Sequence, residues 1–259
     1  YLQFSKTDEG DSAQDTPFGA QNVWADNYSA VYHLNEESGV FKNSTANEHD
    51  GVDNVSASGK QGVFGKGQEF KGSGDWINCG TDIWTNNAEQ TASIWFNRIS
   101  DQNCNTNHST SNVVLAKASG HDNDNFELGT QGPNVELYLD TDNEDASYSF
   151  DGGIANDEWY NLTIAFQNGE AEVFINGTRE YRHFWGADLQ SSADGSEFAI
   201  GKSNHRGCPF QGYIDEVRIS PTARSAAWIA SEYENQKNPA DFYRIDTVES
   251  ENTFIFTPS

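Results

Sequence analysis

Basic residues are scarce in this chain. Only 15 Lys and Arg stand against 40 Asp and Glu, a formal net charge of -25 over 259 residues. A nucleic-acid partner is excluded on that ground, because holding phosphates takes Lys and Arg. An anionic membrane surface is disfavoured for the same reason. No run of about 18 apolar residues occurs, so no membrane insertion by a helix is expected. Cysteine is limited to 3 residues, Cys79, Cys104 and Cys208, too few for a disulfide scaffold and enough for one bridge. The chain starts at Tyr1 without an initiating Met, which predicts a mature or excised piece flanked by other domains.

Aromatic residues are plentiful: 7 Trp, 10 Tyr and 16 Phe supply bulky core material although hydrophobic content is only 35%. The chain therefore reads as foldable rather than disordered. Short apolar runs separated by Gly, Asn, Asp and Ser recur along it, which is the pattern of an all-β protein. Strands are expected over Tyr28–Leu34, Gln68–Phe70, Asp75–Cys79, Thr91–Arg98, Val113–Ala118, Asn125–Leu128, Val135–Leu139 and Ser147–Phe150. They continue over Trp159–Gln167, Glu170–Ile175, Thr178–Phe184, Phe198–Gly201 and Gly212–Ile219. Asn168-Gly169 and Asn176-Gly177 each join two of these runs and read as tight hairpin turns. One segment, Pro221–Asn235, has helical spacing at Ala223, Ala226, Ile229 and Tyr233 and is expected to cap one end of two packed antiparallel sheets.

Several stretches together resemble a known family. "VYHLNEESGVFKNSTANEHDG" (Val31–Gly51), "GVFGKGQEFKGSGDWINCG" (Gly62–Gly80) and "TASIWFNR" (Thr91–Arg98) resemble the opening of a laminin-G-like, concanavalin A-like jelly roll. "DEWYNLTIAFQNGEAEVFINGTREY" resembles its strand–turn–strand signature, and "FQGYIDEVRISPTARSAAWIASEYENQKNPADFYRI" its last strand and terminal helix, as found in bacterial multidomain surface and secreted proteins. The resemblance implies a two-sheet antiparallel jelly-roll sandwich with a short C-terminal helix. It divides the chain into an extension at residues 1–22, the domain at 23–246, and a strand or linker to a next domain at 247–259. It also implies an extracellular or cell-surface location and a structural Ca²⁺ site to which Asp215 and Asn43 contribute. For Asp215 a salt bridge with Arg218 is the alternative.

Strand parity sorts the loops, because each tight turn of an antiparallel sandwich returns the chain to the opposite end. One end collects the loops Gly80–Gln90, Ser119–Asp124, Asp140–Ala146, Gln167–Gly169 and Trp185–Glu197. The other collects Ser100–Asn112, Thr130–Pro133, Gly152–Asp157, Asn176–Gly177 and Lys202–Phe210. Cys104 and Cys208 fall together at the second end and Cys79 at the first. A Cys104–Cys208 disulfide is thus expected, and with it an oxidising compartment.

The first end is acidic, with Asp122, Asp124, Asp140, Asp142, Asp145 and Asp188. Such a rim is either solvated or holds Ca²⁺, which takes six to eight oxygens and is served by Asp side chains on short loops. Trp84, Tyr181, His183, Phe184 and Trp185 lie at the same end. Aromatic faces beside Asp, Asn and Arg hold sugars, the ring against C–H groups and the polar atoms on hydroxyls. Trp185, next to Gly186, is expected to be exposed; for it and Trp84 a binding and a structural role both stay open. Trp95, Trp159 and Trp228 are assigned to the core; for Phe184 core packing is the favoured reading and binding the alternative.

Catalysis finds little support. Glu-x-Asp-x-x-Glu, which would set two carboxylates on one strand face, is absent. Asp215 and Glu216 are neighbours on a strand and point apart. There is no Gly-x-Ser-x-Gly, and the 6 histidines show no zinc spacing. The expectation is a non-enzymatic module that binds a glycan or glycosylated surface, stabilised by Ca²⁺, in an adhesin or other large surface protein. The alternatives are a structural spacer of a surface fibre and, more remotely, a glycan-active enzyme.

Overall fold

Both Asn-Gly pairs form the turns their chemistry favours. Asn168 and Gly169 take φ of 50° and 79°, Asn176 and Gly177 take 51° and 76°, the left-handed values that match a two-residue turn to the twist of its strands. Around them a computed structural model defines the architecture. It describes residues 23–258 apart from 25–26, 48, 54–58, 73, 86–87, 103–110, 119–123, 191–194, 204–208, 239–242 and 251–252.

The first sheet runs in the order β13 (Thr178–Phe184), β12 (Glu170–Ile175), β11 (Trp159–Gln167), β6 (Glu89–Arg98), β15 (Gln211–Ser220), β4 (Lys66–Lys71) and β3 (Lys60–Gln61). β1 (Ala30–Tyr32) also pairs with β15. The second sheet runs β10 (Asp145–Asp151), β9 (Asn134–Asp140), β8 (Asp124–Gln131), β7 (Leu115–Ala118), β14 (Phe198–Ile200), β5 (Ile77–Asn78) and β2 (Val52–Asp53). All strand pairings in these sheets are antiparallel. β16 (Tyr243–Ser250) and β17 (Thr253–Pro258) pair with each other as a separate hairpin, whose first strand runs across residue 246.

Between the sheets, Ile94, Phe96, Leu162, Ile164 and Phe166 of the first meet Leu115, Phe126, Leu128, Leu137 and Leu139 of the second, all fully buried. Alternate residues of β6 and β11 turn outward, yet Trp95 and Ala165 are buried there too. The reason is helix α1 (Ala226–Lys237), N-capped by Ser225. Ile229 of α1 packs with Ala165 and Phe174, and Tyr233 stacks on Trp95 at 5.5 Å. The helix therefore covers the outer face of the first sheet and does not cap an end of the sandwich, because those outer positions are apolar and need cover. Trp228 sits one residue before the buried Ile229, turned by about 100°. It is 46% exposed, over the Arg224 guanidinium, and not a core residue.

The parity sorting holds wherever the loops are described. At the first end Trp185 N–H donates to Gly169 O and Asn168 N–H to Ala88 O. At the second, Arg98 spans Asn156, Thr130 and Gly132. Cys104 and Cys208 lie outside the described residues. Asn43 and Asn161, both in Asn-x-Ser/Thr triplets, are buried at 6% and 4% exposure, so neither can carry an N-glycan on this fold.

Candidate functional site

β13 closes one side of the first sheet and β10 the same side of the second, so the two edge strands face each other across the open flank of the sandwich. Period-two alternation leans Tyr148 and Phe150 of β10, and Tyr181 and His183 of β13, toward the gap, where they are half-buried. Their neighbours Ser147, Ser149, Arg182 and Phe184 point out to solvent. Phe184 is 63% exposed, which corrects the core reading favoured for it.

The rings form a continuous seam. Phe150 and Tyr181 stack at 4.7 Å with planes 3° apart, and Tyr148 lies 4.0 Å from the His183 ring. Trp185 is the floor, edge-on to Tyr148 at 5.2 Å and to His183 at 4.5 Å. At 1% exposure Trp185 is buried and not the exposed platform its neighbour Gly186 suggested. The chain after β13 folds back onto the Gly169 turn, and Asn143 Nδ2 donates to Trp185 O at 2.7 Å, locking the tryptophan under the loop.

A carboxylate ends the seam. Glu144 accepts the Tyr148 hydroxyl at 2.7 Å and lies 3.5 Å from His183 Nε2. Its loop is wound tightly: Thr141 Oγ1 accepts from the N–H groups of Asn143 and Glu144 and donates to Glu144 O. The bond to Glu144, then burial, push the Tyr148 phenol up to about 12, while burial and Glu144 raise Tyr181. Both phenols therefore stay protonated at neutral pH and keep a hydroxyl to offer.

Among the residues expected from sequence, Tyr181 and His183 are thus brought together. Asp188 is exposed and contributes its backbone, accepting from Asp142 N–H at 3.2 Å. Trp84 is 1% exposed, stacked on Phe126 at 4.4 Å with its indole donating to Asn125, so it is a core residue and offers no ring to a ligand. Tyr148, Phe150 and Glu144 were missed. Parity put their loop at the right end, but only the sheet order sets β10 beside β13.

The residues expected to ligate calcium lie as follows. Asn43 Oδ1 accepts from the backbone N–H of Val31 and Thr45 and from Thr45 Oγ1. Asp215 is buried, with Oδ2 accepting from Phe64 N–H and Oδ1 from Glu216 N–H. The Arg218 guanidinium bonds Glu216 and Glu232. Asp140 is buried, whereas Asp142 and Asp145 are exposed, and among the described residues no three His, Cys, Asp or Glu side chains converge to hold a metal. The carboxylates of Asp122 and Asp124 lie outside the described side chains. Where carbonyls do converge, those of Thr81, Ile83 and Trp84, the cation is the buried ammonium of Lys117, at 2.9, 3.0 and 3.2 Å.

Residues 71–230, more than half of the sequence, match the laminin G-type family model of the concanavalin A-like lectin/glucanases superfamily. The chain belongs to that superfamily. No curated protein matches this laminin-G-like sequence. Among solved structures, domain 4 of a GH43 extracellular arabinanase from Geobacillus stearothermophilus, in complex with arabinotriose, is similar. It shares 23% identity at a TM-score of 0.56, over 79% of this chain and 97% of that one. The botulinum neurotoxin serotype D ligand binding domain, in complex with N-acetylneuraminic acid, gives 16% and 0.58 over 88% of this chain and 55% of its own. The serotype G binding domain gives 13% and 0.60 over 85% and 53%. The laminin-G-like chain thus spans about half of each toxin domain. At such identities these likenesses speak for the fold.

Proposed function

We propose that this chain is a carbohydrate-binding module that holds a saccharide against the aromatic seam of β10 and β13. The observation that carries the reading is the run of four half-buried rings, Phe150, Tyr181, Tyr148 and His183, ending on Glu144. Ring faces suit sugar C–H groups, and the Tyr hydroxyls, imidazole and carboxylate suit hydroxyls. The arabinotriose complex of a fold relative supports a sugar ligand on this architecture.

Binding without hydrolysis is the favoured form. A glycosidase needs two carboxyl groups about 5–10 Å apart across the bond, and Glu144 is the only carboxylate placed on the seam by the described contacts. Glu216 is committed elsewhere, bonded to His33 and Arg218. In this proposal the module works outside the cell within a longer surface or secreted protein. Calcium stays part of the proposal, and a melting temperature indifferent to millimolar calcium and to chelator removes it.

The test is an array of neutral and acidic oligosaccharides probed with the wild type and with Tyr181→Ala and Tyr148→Ala. Binding that both variants lose while staying folded supports the seam. Binding that both retain moves the site elsewhere, and no binding at all returns the chain to the spacer reading.

A further inference from the structure

On the reading that the seam binds sugar, we infer that it selects saccharides bearing no acidic group and turns away uronic, sialic and sulfated ones. The argument is the charge that the fold gathers around the rings. From Asn134 to Asp151 the chain carries Glu136, Asp140, Asp142, Glu144, Asp145 and Asp151 and no Lys or Arg. β10 is one wall of the seam; register puts Glu136, Asp140, Asp145 and Asp151 on the face opposite Tyr148 and Phe150, so Glu144 is the carboxylate at the rings and the others add longer-range negative charge.

The other wall has two arginines, and both are turned away, Arg182 by alternation and Arg179 by the register shift at Val173/Phe174 that pairs it with Phe174. Arg179 and Arg182 lie on the face of β13 opposite Tyr181 and His183. Each is paired there to a glutamate of β12, Arg179 to Glu172 at 2.5 Å and Arg182 to Glu170 at 2.6 Å. No described guanidinium or ammonium thus contacts the seam rings, whereas recognition of a carboxylate or sulfate favours a bidentate Arg. The group at the seam's end is instead Glu144, an acceptor for about four hydrogen bonds when ionised. A sugar hydroxyl can donate to it; an anionic substituent would meet a like charge in a chain of net charge -25.

Discrimination of this kind is electrostatic, so it must weaken with salt as the Debye length falls from roughly 30 Å at 0.01 M to about 8 Å at 0.15 M. The experiment uses gluco- and galacto-oligosaccharides and the same oligosaccharides oxidised at C6 to uronates, which keep the ring and change the charge. Affinities are read at 10 mM and 150 mM salt for the wild type, Glu144→Gln and Tyr181→Ala. The expected result is an uncharged ligand that Tyr181→Ala loses, an oxidised counterpart about 10-fold or more weaker at low salt, and a gap that narrows with salt and in Glu144→Gln.

An oxidised ligand bound as tightly as its neutral parent, and still lost in Tyr181→Ala, overturns the selectivity while leaving the seam as the site. A gap unchanged by salt and by Glu144→Gln overturns it as well. Failure of both forms to bind overturns the sugar reading itself.

Discussion

The ammonium of Lys117 lies 3.2 Å from the carbonyl oxygen of Trp84, which the chain turns toward it by adopting φ of 62°. A positive φ is strained for a non-glycine residue, and here the buried charge it serves supplies the compensation. Lys117 also holds Thr81 O and Ile83 O, so one side chain gathers the carbonyls of the Thr81–Trp84 segment. Lys117→Met fills the same volume and leaves three carbonyls unmet. The expected cost is about 3 kcal/mol, or about 10 °C in Tm, with altered Trp84 fluorescence. A Tm unchanged within about 2 °C removes Lys117 from this role.

Asp215 gives stability a pH dependence of its own. Burial pushes its carboxyl from 3.8 up to about 7, against the pull of the Phe64 N–H and with the Glu216 charge adding to the rise. Between those values the native state holds a proton that the unfolded chain has released. Its contribution is therefore complete below about pH 4 and is lost as the pH rises through about 7. Urea midpoints across pH 4–8 should fall along this window in the wild type relative to Asp215→Asn. The variant should be less stable throughout, since an amide NH₂ cannot accept from a backbone N–H. Parallel profiles for the two proteins would contradict the shift.

Trp185 and Tyr181 separate scaffold from site. Trp185→Ala opens a cavity under the seam and is expected to cost about 3–5 kcal/mol, so any loss of sugar binding accompanies a lowered Tm. Tyr181→Ala removes a half-exposed ring and is expected to leave Tm within a few degrees while weakening sugar binding about 10-fold. Thermal denaturation beside calorimetric titration distinguishes them. Equal destabilisation by both would make Tyr181 structural.

Cys79 should be inert in the native protein. It is 1% exposed, and burial pushes its thiol up to about 12, partly offset by its hydrogen bond to Tyr32. Iodoacetamide at pH 8 is expected to label it only after unfolding. The Cys104–Cys208 bridge remains a proposal, supported by neighbours that meet: Gln102 bonds Gln211, and Val113 bridges Pro209. Peptide mass spectrometry without reductant should find both cysteines unlabelled and joined. Native labelling of Cys79 would contradict the burial, and labelling of Cys104 and Cys208 would remove the bridge.

Much of the strand map was legible because alternation and turn chemistry are local: the run Thr91–Arg98 lies within β6, and Asn168-Gly169 turns β11 into β12. Val52–Asp53 and Lys60–Gln61 were not foreseen, since two residues carry no period. Burial of single tryptophans was misjudged in both directions. Trp185 is covered by a loop whose sequence neighbour, a glycine, suggests openness, and Trp228 misses the helix's buried face by one residue. The hydrogen bond from Phe64 N–H to Asp215, between residues 151 apart, could not be read from the sequence.

By itself the order of residues determined the two antiparallel sheets, the hairpins and which loops share an end, because each of these follows from period-two patterning and the reversal at every turn. Only the tertiary structure decided that β10 and β13, whose first residues are Asp145 and Thr178, stand opposite each other and that Tyr148 therefore meets His183. Which strands become the edges of two stacked sheets depends on the sum of many non-local pairings. No local pattern encodes that sum, so the site appears only once the sandwich has closed.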